Sequence, residues 1–134
     1  MQTPHEHLTP VAQVIPTAGG LELEKTLDRL GGDWALFEEV CDIFLEESSA
    51  MLHAVHEAIR ERNPENLHRS SHSLKGAVSV LGADDCVESA LALEQMGRQN
   101  AMESAAEVCA ALERKLALLT ASILTLRKTS KREQ

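Results

Sequence analysis

The sequence has no tyrosine, one tryptophan and two phenylalanines among its 134 residues. With so few of the aromatics that pack on pleated surfaces, and only four prolines and seven glycines for turns, an all-β or α/β fold is disfavoured. Cysteine is also scarce. Cys41, Cys86 and Cys109 are odd in number, widely spaced and without a CxxC pair. They cannot complete a disulfide framework, and their places on or beside apolar helical stripes read as buried, reduced thiols. No stretch approaches the about 18 consecutive apolar residues of a membrane span, and the first twenty residues lack a basic start followed by an apolar core. The expectation is a cytoplasmic protein with no membrane contact. Positive charge is short as well: 13 Lys and Arg against 21 Asp and Glu leave a net charge of −8. The one basic run, Arg127 to Arg132, reads as a solvated tail, so a nucleic-acid partner is not expected. Internal repeats and glycine-rich phosphate loops are absent, and no cofactor of the chain's own is expected.

What is present is helical periodicity. An apolar fraction of 43% can bury one core, and the length suits a single domain. Residues 1–20 hold Pro4, Pro10, Pro16 and the Gly19-Gly20 pair and read as a flexible arm. Leu23, Leu27 and Leu30 mark a short helix that stops at Gly31-Gly32. Asp33 can cap a second helix, whose apolar residues recur as Phe37, Val40, Phe44, Met51, Val55 and Ile59, with Ser48 interrupting the stripe. Asn63 and Pro64 open a third, the asparagine as side-chain cap and the proline at the first helical position, running to about Leu81 and Gly82. Asp84 or Asp85 should cap a fourth, from Cys86 to about Gly97, with Val87, Ala90, Leu91 and Leu93 turned partly inward. The fifth carries Ala105, Cys109, Leu112, Leu116, Leu119, Ile123 and Leu126 at alternating spacings of four and three. Short connections force neighbours to run in opposite directions, so the expected fold is an all-α antiparallel four-helix bundle over 21–126, with the short helix covering one end and 127–134 as tail.

The third helix carries the chemistry. On a wheel of about 100° per residue, Leu67, Ser71, Leu74, Val78 and Leu81 fall within about 40° of one direction, which must be the buried one. Ser71 on this stripe is expected to bond a backbone carbonyl. His72 lies about 140° away, near His68, Lys75, Ser79 and Gly76, and so points to solvent. A glycine inside a helix costs roughly 1 kcal/mol relative to alanine, and close approach by another molecule would offset it. A neutral imidazole is a nucleophile, a lysine beside it offsets phosphoryl charge, and a bare position leaves room for both phosphate and a docking surface. His68 and His72 also stand at a metal-holding spacing, but a site needs a further ligand and Lys75 opposes a cation. His5, His7, His53 and His56 read as surface histidines, and Ser70, Ser73 and Ser79 lack acid-base partners for hydrolysis.

The string His72-Ser73-Leu74-Lys75-Gly76-Ala77, followed by Leu81-Gly82-Ala83, resembles the signature of histidine-containing phosphotransfer (HPt) domains, the phosphocarriers of two-component phosphorelays. Leu27 to Asp33, Leu36-Phe37-Glu38-Glu39-Val40, Phe44 to Glu47, Ala90 to Glu94 and Gly97-Arg98 resemble that family's flanking segments in the family's order. Gln99-Asn100-Ala101 departs from its commoner glycine-aspartate turn. The resemblance implies that His72 is phosphorylated, that Lys75 stabilises the phosphoryl group and that Gly76 lets a receiver domain close in. It places Glu94 on the next helix where the family often has a polar residue near the histidine. The implied partners are response-regulator receiver domains and a sensor or hybrid histidine kinase, with Mg2+ supplied by the receiver. The implied protein is a monomer without catalysis of its own. Leu45, Ala77 and Val80 are the expected apolar docking residues, with His68, Ser79 and Glu94 around them. Two alternatives stay open: a module that sequesters a receiver or another partner without phosphotransfer, and a substrate domain for a separate chemotaxis-type kinase, since the chain ends without room for a kinase domain.

Overall fold

A computed structural model describes residues 23–133, with side chains through residue 128. The expected arm at 1–20 lies outside the described residues. The chain forms five helices: α1 (Leu23–Arg29), α2 (Trp34–Arg60), α3 (Pro64–Val80), α4 (Asp84–Arg98) and α5 (Ala105–Glu133). No strand occurs among the described residues.

Local chemistry sets most boundaries. Asp33 is extended and its carboxylate accepts from the Leu36 amide at 3.0 Å, starting α2. Asn63 does the same for the Asn66 amide at 3.0 Å, with Pro64 first in α3, where its missing N–H loses no helical bond. The expected cap of α4 is corrected. Its N-cap residue is Ala83, which has no side chain able to accept, and Asp84 and Asp85 lie inside the first turn. There their charge still faces the positive end of the helix dipole. Gly82 separates α3 from α4 at φ +68°, and a Cβ on it would lie 2.8 Å from Thr26 Oγ1 and Arg29 Nη2, so this turn demands glycine twice over.

Helices α2 to α5 form a ring in which α2 touches α3, α3 touches α4, α4 touches α5 and α5 returns to α2. This is the antiparallel four-helix bundle. The short α1 closes one end: Thr26 Oγ1 donates to the Leu81 carbonyl at 2.7 Å, and Arg29 Nη1 donates to that of Ser79 at 2.9 Å. The Leu81 carbonyl is left open by the end of α3 and is satisfied by Thr26, whereas the Ser79 carbonyl, already bonded by the Gly82 amide at 3.0 Å, gains Arg29 as a further donor. The core joins Phe37, Phe44 and Val55 of α2, the Leu67 to Leu81 stripe of α3, Ala90 and Leu93 of α4, and the whole Ala105 to Leu126 seam of α5.

Three side chains depart from expectation. Leu91 is exposed, because α4 buries the line Cys86, Ala90, Leu93 and Gly97, and Leu91 stands to one side of it. Ser71 is fully buried, yet its hydroxyl has no hydrogen-bond partner among the described residues; it is the adjacent Ser70 that bonds back, to the Asn66 carbonyl at 2.7 Å. Arg127 does not stand in a solvated tail. α5 continues to Glu133, and Arg127 folds against α2, pairing with Asp42 and lying 3.9 Å from Glu38.

All three thiols are buried and free, and burial pushes Cys41 up to about 12 and Cys86 and Cys109 up to about 11, from 9.0. Above pH 9 an unfolded thiol loses its proton while the folded one keeps it, so the unfolded state gains and stability falls until the folded thiols titrate. Each thiol contributes at most roughly 1.4 kcal/mol per pH unit in that window. Denaturant melts between pH 8.5 and 11 should show a steeper loss for the native sequence than for a Cys41→Ala, Cys86→Ala, Cys109→Ala variant. Parallel slopes would show that the thiols titrate alike in the folded and unfolded states.

Candidate functional site

The exposed edge of α3 meets α4 through one buried carboxylate. Glu94, only 3% exposed, receives His72 Nδ1 on Oε2 at 2.9 Å and Lys75 Nζ on Oε1 at 2.8 Å. His68 Nε2 lies 3.6 Å and Arg98 Nη2 3.7 Å from the same Oε2. Burial raises the Glu94 pKa, and hydrogen bonds and charge from Lys75 and His72 more than reverse it, holding the carboxyl below its ordinary value. The group is therefore an anion near neutral pH.

This geometry settles the state of the His72 ring. A carboxylate only accepts hydrogen bonds, so the nitrogen facing it carries the hydrogen, and the bare nitrogen of the neutral ring is Nε2. The His72 side chain is 65% exposed, and Nε2 has no hydrogen-bond partner among the described residues. A nucleophilic lone pair thus faces outward while the opposite edge of the ring is anchored. Lys75, its side chain half-buried, puts a cation on the neighbouring turn.

Two helical glycines flank this group in opposite surroundings. A Cβ placed on Gly76 would meet nothing within 4 Å, so the fold itself gives no reason for glycine there. A Cβ on Gly97 would lie 2.6 Å from both the His68 amide nitrogen and the Pro64 carbonyl oxygen. Gly97 lets the backbones of α3 and α4 touch, and that contact brings Glu94 and Arg98 against the histidines.

Of the residues singled out in the sequence, His72, Lys75, His68 and Glu94 come together, with Gly76 beside them. Val80, 44% exposed, lies two turns further along α3; Ala77 is half-buried and packs against the core. Ser79 is half-buried, and its carbonyl holds Arg29. Leu45 is not brought to the site. It lines a cleft with Asp42, Leu124 and Arg127 between α2 and α5, across the ring from the α3–α4 edge, because the face of α2 that carries it packs towards α5. Arg98 is the charged neighbour of this group that the wheel of α3 missed. Its spacing of four from Glu94 along one helix was the available signal.

The family model described as Hpt domain matches residues 39–122. Among solved structures, the chain resembles histidine-containing phosphotransfer protein B (HptB) from Pseudomonas aeruginosa PAO1, with a TM-score of 0.76 and 21% identity, covering 82% of this chain and 96% of that one. No curated protein matches the chain. Among the described residues, no helix is long and apolar enough to cross a membrane.

Proposed function

The chain belongs to the Hpt domain family, and from that premise we propose that it is a histidine phosphocarrier of a two-component phosphorelay. His72 accepts a phosphoryl group from the aspartyl phosphate of one receiver domain and yields it to the aspartate of another. Nε2 attacks phosphorus in line, the N–P bond forms as the acyl P–O bond breaks, and the aspartate leaves as carboxylate. The phosphorylated ring keeps its Nδ1 hydrogen and so becomes a cation. No proton has to leave, and Glu94 lies ready to hold that charge.

The observation carrying this reading is the His72 Nδ1 contact with Glu94, which leaves Nε2 as the outward nucleophile. Lys75 is assigned to the phosphoryl oxygens and Gly76 to the space a receiver occupies, with Ala77, Ser79 and Val80 extending the docking surface along α3. The Mg2+ ion belongs to the receiver. The protein catalyses nothing alone, works as a monomer in the cytoplasm, and binds receivers and their hybrid kinase transiently.

The test is incubation of the purified protein, beside a His72→Gln version, with a panel of phosphorylated receivers and Mg2+. Acid-labile, base-stable phosphate should accumulate on the native chain and be absent from the variant. Docking without label from any receiver would refute the carrier role and favour a module that sequesters its partner.

A further inference from the structure

His68 stands one turn before His72, its ring centre 6.4 Å from that of His72, and it is one-third exposed. Its Nε2 faces two groups of opposite demand. Arg98 Nη2 lies 3.3 Å away and only donates, whereas Glu94 Oε2 lies 3.6 Å away and only accepts. The other charges meeting at this carboxylate are His72 and Lys75 from α3. We infer that His68 is a positioning residue for His72, acting through Glu94, and that a proton on His68 loosens the hold on the reactive ring, given that His72 is the phosphoryl acceptor proposed above.

With His68 neutral, Nε2 accepts from Arg98 and its hydrogen sits on Nδ1. The Glu94 oxygen is then left to His72. A proton on Nε2 removes the acceptor, sets two cations against each other and turns the imidazolium towards Oε2, where His72 already donates. Glu94 is buried, so water cannot readily supply what the shared oxygen lacks. The new charge has a second effect. Phosphoryl uptake makes the His72 ring cationic, and a cation one turn away opposes that product. Both effects act in one direction: protonated His68 slows uptake at His72.

The experiment compares the native chain, His68→Gln and His72→Gln. Glutamine retains a carbonyl to accept from Arg98 and carries no titrating proton. Proton and 15N NMR follow the imidazoles against pH, and labelling by phosphoramidate, which releases ammonia as the N–P bond to His72 forms, follows uptake. In the native chain the neutral form of His68 should be the Nδ1–H tautomer, and uptake should fall with acidification more steeply than in His68→Gln. In His68→Gln the pH dependence of the His72 ring signals should differ from that of the native chain, because one charge beside the ring is gone, and uptake should lose the steeper fall. Identical His72 titrations and identical pH profiles in the two proteins would overturn the inference. Failure of phosphoramidate and receivers alike to label the native chain, with the NMR shift intact, would instead refute the carrier reading and leave the coupling of the two rings established.

Discussion

Gly97→Ala should be the most damaging single-methyl change in the α3–α4 edge, lowering stability by about 3 kcal/mol. An added Cβ would lie 2.6 Å from two backbone atoms of α3, and backbone cannot swing aside as the end of a flexible side chain does. The helices must separate. Alanine recovers about 1 kcal/mol of helix propensity, so the figure is what remains after that gain. The thermal midpoint should drop by roughly 10 °C. Separation also carries Glu94 and Arg98 away from the histidines, so the 15N signature of the His72 Nδ1 hydrogen bond should weaken in the fraction still folded. An unchanged midpoint would show that α4 slides without cost.

Gly76→Leu should do the reverse to the fold and worse to transfer. Nothing lies within 4 Å of its Cβ position, so a side chain can leave the backbone there without a clash and the helix gains roughly 0.5–1 kcal/mol. Yet the side chain would stand one turn from His72, where, on the function proposed above, a receiver brings its aspartyl phosphate into line. A displacement of about 1 Å at a reacting centre can cost 100-fold, and the transfer rate from a phosphorylated receiver should fall by at least that much. A more stable protein that still takes phosphate from the receiver at the native rate would mean that the partner approaches from elsewhere.

These glycines show what a single chain reveals and what it conceals. The apolar stripe of α3 was legible because Leu67, Ser71, Leu74, Val78 and Leu81 obey a rule internal to one helix, and all are buried. Asp33 and Asn63 announce their helices through local hydrogen bonding in the same way. His72 was visible as a polar residue off the stripe, and Gly76 as a penalty without an internal cause. Gly97 looks no different from Gly76 in sequence, since its reason lies in the backbone of another helix. The pairing of Arg98 with His68, the inward turn of Glu94 in place of Leu91, and the placing of Leu45 on the α5 side all depend on how helices rotate against one another. No wheel drawn for one helix contains that angle.

Among the described residues, every charged group that meets Glu94 comes from the hairpin of α3 and α4, and the pair furthest apart in sequence within this cluster, His68 and Arg98, is separated by only 30 positions. The proposed reactive part is therefore a cassette written in one short stretch, and α2 and α5 serve as the brace that keeps it shut. Such local contacts form early and cheaply as the chain collapses. Drift in the long α5 seam can then alter the durability of the protein while leaving its reactive edge untouched, and the two properties are free to evolve apart.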